Sequence, residues 1–138
     1  MAKLNAYLTF NGNCKEAMEF YKNCLGGDLM LMTVGESPMA AQTPVAMRDS
    51  VMHSLLTSGS ISLMASDMVG QGEYKAGNTV HLCLVCESKE EIERLFAKLS
   101  QGAQAVRPLK EEFFGTYGDL TDKFGFGWMF QFGGNQQR

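Results

Sequence analysis

Hydrophobic and polar positions along the chain alternate between two periods, and the switches between them mark the elements. Leu4 to Phe10 (LNAYLTF) is rich in β-forming residues and runs into Asn11-Gly12-Asn13, turn chemistry that ends on a residue suited to cap a helix. From Cys14 the period becomes helical. Cys14, Ala17, Met18, Tyr21, Cys24 and Leu25 recur at spacings of three and four and fall on one face. Asn13 stands three residues before Glu16 in a capping-box-like arrangement, and Gly26-Gly27 supplies the stop.

The same grammar returns further on. Val80 to Val85 (VHLCLV) reads as a strand, Ser88 caps with Glu91 three positions on, and Ile92, Leu95, Phe96 and Leu99 form an apolar stripe that ends at Gly102. Between the two strand-helix units lie the strand-like segments Asp28–Val34, Ser50–Thr57 and Ser60–Ala65, with a tight turn at Ser58-Gly59. After Gly102 come Gln104–Pro108, Phe114–Thr121 and Phe126–Phe132, so each half reads βαβββ. The helix caps Asn13 and Ser88 are 75 residues apart and the stops Gly26 and Gly102 are 76 apart, which points to an internal duplication.

The expected architecture is α+β: tandem βαβββ modules whose sheets form a curved mixed sheet around one cleft. A single domain, 1–138, would hold half-modules at about 1–67 and 79–134, joined by a Gly-rich linker at 68–78. The segment Gly35–Asp49, with Pro38 and Pro44, falls outside the strand pattern and reads as a surface loop or a lid.

Composition narrows the function classes. A chain of 138 residues that is 45% hydrophobic has core material for one ordinary domain. Twelve Lys and Arg against fifteen Asp and Glu, a net charge of −3, leave no basic footprint for nucleic acid. Met1–Asn5 lacks the charged and apolar pattern of a signal peptide, and no apolar run approaches the ~18 residues that cross a bilayer, so no membrane association is expected. Cys14, Cys24, Cys83 and Cys86 are too few for a disulfide scaffold in such a chain, and free thiols point to the cytoplasm. Cys83 and Cys86 form a CxxC spacing, but residues three apart on a strand point to opposite faces, which assigns the pair to packing.

Four blocks together resemble a known family. They are Phe10-Asn11-Gly12-Asn13-Cys14 with Glu16-Ala17, Phe20-Tyr21 and Gly26-Gly27; Val51-Met52-His53-Ser54-Leu55 with Ser62 to Asp67; the strand around His81; and Gly118-Asp119-Leu120-Thr121-Asp122-Lys123-Phe124-Gly125 followed by Trp128-Met129. Over essentially its whole length the chain resembles PhnB-like proteins of the vicinal-oxygen-chelate superfamily, which includes glyoxalases, bleomycin-resistance proteins and dioxygenases. The resemblance implies the glyoxalase-like fold and a homodimer, and it covers both metal-dependent enzymes and metal-free binding proteins. In metal-using relatives four ligands, drawn from His, Glu and Gln, project into the cleft. The resemblance places Ala6 (or, one residue earlier, Asn5), Ser62, His81 and Met129 at those positions. Only His81 is a good ligand, so no metal ligands are assigned and a divalent metal cofactor is disfavoured. Similar sequences carry a methyltransferase label, yet no Gly-rich loop between a strand and a later acidic residue is present to hold a nucleotide-like methyl donor.

Strand parity supplies the remaining expectation. If His81 faces the cleft, so does Cys83; Ala6, Leu8 and Phe10 point inward from the first strand, Ser62 and Met64 from the fourth, and Gly127, Met129 and Gln131 from the last. The expected ligand-binding set is thus Phe10, Ser62, Met64, His81, Met129 and Gln131, an apolar, Met-lined cavity for a small organic molecule. His81 is the candidate catalytic base; His53 is read as structural, because no nucleophile or carboxylate lies near it in sequence. Glu111-Glu112 with Phe113-Phe114 is a further candidate rim, or an ordinary exposed strand end. The reading is a metal-independent small-molecule-binding protein, the alternative a metal-dependent lyase, isomerase or dioxygenase, and the residues leave open whether a reaction is catalysed.

Overall fold

Each of the two apolar helix stripes finds a sheet to cover. The structure, a computed structural model, describes residues 1–68 and 72–133. Of the linker expected at 68–78, residues 69–71 lie outside the described residues, as does residue 134 at the end of the second half-module. The chain divides into two compact units, Met1–Lys75 and Ala76–Arg138.

In the first unit β1 (Ala6–Phe10) leads into α1 (Cys14–Leu25), followed by β2 (Asp28–Thr33), β3 (Val51–Ser58) and β4 (Ile61–Asp67). The sheet order is β1-β4-β3-β2, with β1 parallel to β4 and the other pairs antiparallel. Helix α1 packs on β2, β3 and β4 and buries Cys14, Ala17, Met18, Tyr21 and Cys24 on that side, as its stripe requires. Strands contribute Leu8, Phe10, Leu56, Leu63 and Ala65 to the same core. After α1, Gly27 has φ +90°, and a Cβ there would collide with the carbonyl of Thr57, so only glycine lets the chain turn this closely into β2.

The capping expectation at Asn13 is corrected. Its side chain makes no cap hydrogen bond. The donors at the helix start go instead to the buried Asp67 at the end of β4, whose Oδ1 accepts from the N–H of Gly12 (2.9 Å) and of Cys14 (3.0 Å). Its Oδ2 accepts from the N–H of Val51 at 2.8 Å, so one carboxylate ties β4 to the starts of both α1 and β3. A buried charge held by three donors satisfies both sides of the exchange.

The segment between β2 and β3 is a closed loop of three short 3-10 turns, Val34–Glu36, Ala40–Gln42 and Val45–Met47. Its ends are pinned together where the N–H groups of Val34 and Gly35 donate to the carbonyls of Ser50 and Arg48, both at 2.8 Å.

The second unit repeats the order: β5 (His81–Cys86), α2 (Lys89–Leu99), β6 (Ala105–Glu112), β7 (Gly115–Thr121) and β8 (Gly127–Phe132), with sheet order β5-β8-β7-β6 and β5 parallel to β8. Here the cap forms as read, with Ser88 Oγ accepting from the N–H of Glu91 at 3.0 Å. Ile92, Leu95 and Leu99 are buried on the helix, and Trp128 and Phe130 are buried in the sheet. Strand β6 does not stop at Pro108, as the sequence pattern suggested, but continues to Glu112 past a register shift between Arg107 and Lys110. Proline has no N–H for the ladder, and a bulge lets the strand resume beyond it. No helix among the described residues is long and apolar enough to cross a membrane.

Candidate functional site

Each sheet has one face under its helix and one face free of it, and the candidate residues sort between the two. In the first unit Phe10 pairs with Asp67, which reaches the first turn of α1, so Phe10 lies on the helix side and is 1% exposed. This corrects the expectation that Phe10, with Ala6 and Leu8, shares a face with Ser62 and Met64. In register, Leu8 pairs with Ala65 and Ala6 with Leu63, both in the buried row, whereas Tyr7 pairs with Met64 and Thr9 with Ser66. The strand parity had been anchored one residue out. A one-residue slip moves a whole strand's side chains to the other face.

The helix-free face of the first sheet therefore carries Tyr7, Ser62, Met64, Ser66, His53, Leu55, Met30 and Met32. It is thioether-rich with a few polar groups. Tyr7 donates its hydroxyl to Ser66 Oγ at 3.0 Å, and its ring lies 6.3 Å from the His53 imidazole. Sequence parity found Ser62 and Met64 but missed Tyr7, whose alternation with Leu8 and Phe10 was the available signal.

In the second unit the placement follows the parity read from the sequence. His81, Cys83 and Val85 pair with Gly127, Met129 and Gln131, and all six occupy the helix-free face. The imidazole of His81 lies across Gly127: a Cβ at that glycine would sit against ring atoms Cδ2 and Nε2, so the missing side chain makes the space for the ring. Met129 is flanked by Cys83 on β5 and by Asp119 on β7.

Asp119 was not a candidate from sequence, yet it is the hub of this face. Its Oδ2 accepts from the Tyr117 hydroxyl at 2.7 Å and its Oδ1 lies 3.3 Å from Arg107 Nε. Burial, together with donation to Asp119, pushes the Tyr117 phenol up to about 12, which keeps it a neutral donor. The signal was the alternation Tyr117, Asp119, Thr121 within the block that carries the family resemblance. The Glu111–Phe114 candidate rim forms the β6–β7 hairpin end, where the Phe113 and Phe114 rings meet edge to face and Phe113 is almost wholly exposed.

The thiols offer no ready nucleophile. Cys83 is on the helix-free face and Cys86 is buried on the other, so the CxxC sulfurs lie on opposite sides of β5. Burial raises Cys83, takes Cys86 to about 11 and takes Cys14 to about 12, all above the neutral range. Cys14 supplies a pH test of the fold. A thiol whose pKa rises from 9.0 to about 12 on folding stabilises the native state below pH 9, and that contribution is lost as pH climbs from 9 towards 12. Urea midpoints should fall over that window and fall less steeply in Cys14→Ala; the slope left over would come from Cys83, Cys86 and Tyr117, which shift the same way. An unchanged slope in Cys14→Ala would contradict the assignment.

No group of three or more His, Cys, Asp or Glu side chains converges as a metal site among the described residues.

Comparison with known proteins supplies the remaining context. A family profile described as 3-demethylubiquinone-9 3-methyltransferase matches residues 2–131. Protein YjdN of Escherichia coli K12 is 30% identical over 136 residues, covering 91% of this chain and 92% of that protein. The crystal structure of PA1353 from Pseudomonas aeruginosa is 37% identical with a TM-score of 0.86, covering 98% of this chain and all of that one. A PhnB protein from Bacillus cereus, described with the same methyltransferase name, is 25% identical with a TM-score of 0.75 over 96% of this chain and 100% of that one. A glyoxalase/bleomycin resistance protein/dioxygenase domain from Frankia sp. EAN1pec shares the fold, with a TM-score of 0.68 at 17% identity over 96% of this chain and 98% of that one. The α+β arrangement of two four-stranded mixed sheets with one helix each is that of glyoxalase-like modules.

Proposed function

The chain belongs to the PhnB-like family described as 3-demethylubiquinone-9 3-methyltransferase, and from that membership we propose that it is a metal-independent protein that binds a small, largely apolar organic molecule. The observation that carries the reading is the composition of the helix-free faces, where Met30, Met32 and Met64 in one unit and Met129 in the other lie beside isolated polar groups. Flexible thioethers accommodate an apolar ligand, and on the face of the second unit His81 and Gln131 would orient it. A cytoplasmic homodimer is part of the same proposal.

The family description does not by itself supply a methyl-transfer site. A nucleotide-like methyl donor calls for a Gly-rich loop between a strand and a helix. The turn after β1 has one glycine, Gly12, whose N–H is already held by Asp67, and the turn after β5 is Glu87-Ser88. The metal of other glyoxalase-like proteins fits no better. The residues at the four positions inferred for its ligands offer a methyl group at Ala6 or, one residue earlier, a neutral amide at Asn5, with a hydroxyl at Ser62, an imidazole at His81 and a thioether at Met129, and Ala6 belongs to the buried row of β1. That donor set suits no hard or borderline divalent ion.

Elemental analysis of protein purified without chelator, combined with titration by naphthylmethanol, tests the reading. Substoichiometric metal and saturable binding that Met129→Arg weakens by about tenfold or more are expected, since the substitution replaces the thioether against which an apolar ring would pack. Stoichiometric Zn, Mn, Ni or Fe that is lost in His81→Ala would overturn it in favour of a metal-dependent lyase, isomerase or dioxygenase.

A further inference from the structure

The bulge in β6 does more than accommodate Pro108. Residues three apart on a regular strand point to opposite faces, but Arg107 pairs with Asp119 and Lys110 with Tyr117, and Asp119 and Tyr117 are two apart on β7. The register shift therefore brings both cations onto one face, the helix-free face that carries Met129 and Gln131. Leu109, between them, turns the other way, its Cδ2 lying close to the backbone of Gly118 beside Phe96 of α2. Bulges re-aim side chains in this manner, often near binding sites.

Charge is layered on this face. The carboxylate of Asp119 is 18% exposed, whereas the Arg107 side chain is 80% exposed and that of Lys110 is 76% exposed. Asp119 is engaged from one side by Tyr117 and from the other by Arg107 Nε, and no other acceptor engages the guanidinium among the described residues. Arg107 is thus anchored through Nε with its terminal nitrogens turned to solvent. Lys110 stands in the neighbouring row, with Glu112 as its partner at 3.9 Å.

We propose that Arg107, with Lys110 beside it, forms a carboxylate-recognition subsite at the edge of the Met129 face, so that the molecule bound there is an aromatic or aliphatic monocarboxylic acid. The proposal rests on the small-molecule reading above and names the class of its ligand. Two equivalent N–H donors on the outer edge of a planar guanidinium match the two oxygens of a carboxylate. Asp119 and Glu112 balance the two cations in net charge, so recognition falls to the exposed outer edge of the guanidinium, which suits a singly charged anion better than a doubly charged one. The apolar body of the acid would lie over Met129, in the row next to Gln131.

The test titrates the full chain at neutral pH with two probes of one shape, naphthoate and naphthylmethanol. Naphthoate should bind about tenfold more tightly, the increment of one charge-assisted bidentate pair. Arg107→Gln should abolish that preference while leaving the alcohol's affinity unchanged, and Lys110→Gln should reduce it. Both side chains are exposed, so neither substitution threatens folding. Equal binding of the two probes to the wild-type chain would overturn the carboxylate subsite and leave the apolar site standing, as would a preference that survives Arg107→Gln. Binding of neither probe would overturn the subsite together with the function it rests on.

Discussion

Asp122→Ala should destabilise the protein by about 3–5 kcal/mol, lowering the urea midpoint of the second unit without changing the slope of its transition. Asp122 is fully buried in the turn between β7 and β8. Its Oδ1 accepts from the N–H groups of Phe124 (2.8 Å) and Phe126 (3.0 Å), and its Oδ2 accepts from Trp128 Nε1 at 2.8 Å. Truncation leaves these donors facing a void in a site from which water is excluded, and each orphaned donor costs on the order of 1–3 kcal/mol. The damage would reach the candidate face, because Trp128, whose indole Asp122 holds, lies between Gly127 and Met129 on β8. Asp122→Asn separates charge from shape: it keeps one acceptor oxygen but turns an NH2 towards at least one donor, so it should lie between wild type and alanine. A loss in Asp122→Ala below about 1 kcal/mol, typical of a surface change, would show that the turn does not depend on the carboxylate.

Asp122 also shows where sequence reading stops. Helices and strands were legible because their periodicity is local: the stripe from Cys14 to Leu25 and the stripe from Ile92 to Leu99 each select one face without reference to the rest of the chain. The turn-forming residues before each helix, and the glycines after α1 and beyond the end of α2, were equally local. Strand faces were legible only where an independent anchor existed. In β5 and β8 the long apolar side chains of Leu82, Leu84, Trp128 and Phe130 identify the helix side, and His81, Met129 and Gln131 follow on the other. In β1 both parities present apolar groups, Tyr7 on one and Leu8 with Phe10 on the other, and alternation alone cannot choose between them.

The polar hubs were illegible for a different reason. Asp119 joins Tyr117 on its own strand to Arg107, which only the antiparallel pairing of β6 with β7 places opposite it, and the bulge and extension of β6 beyond Pro108 that bring Lys110 to the same face contradict the usual meaning of proline in a strand. Asp67 contacts amides 53 and 55 residues away. No window short enough to show periodicity contains both ends of such a contact.

That separation makes Asp67 the second large effect, and it can be set against the residue that local reasoning favoured. Asn13→Ala should cost no more than a few tenths of a kcal/mol, well below the usual ~1 kcal/mol for removing a cap, because its side chain makes no cap hydrogen bond. Asp67→Ala should cost about 3–5 kcal/mol, since it orphans the amides of Gly12, Cys14 and Val51 at a site only 7% exposed. Hydrogen exchange distinguishes a local cap from a cross-sheet tie. In Asp67→Ala the amides of Gly12 and Cys14 at the start of α1 and that of Val51 at the start of β3 should lose protection together, although 37 residues separate Cys14 from Val51. Loss confined to the helix start would reduce Asp67 to a distant cap, and comparable costs for Asn13→Ala and Asp67→Ala would restore the local one. The expected result assigns the stability of the first unit's helix start to the strand that carries Ser62 and Met64, so the same β4 that presents the candidate face also fixes the helix behind it.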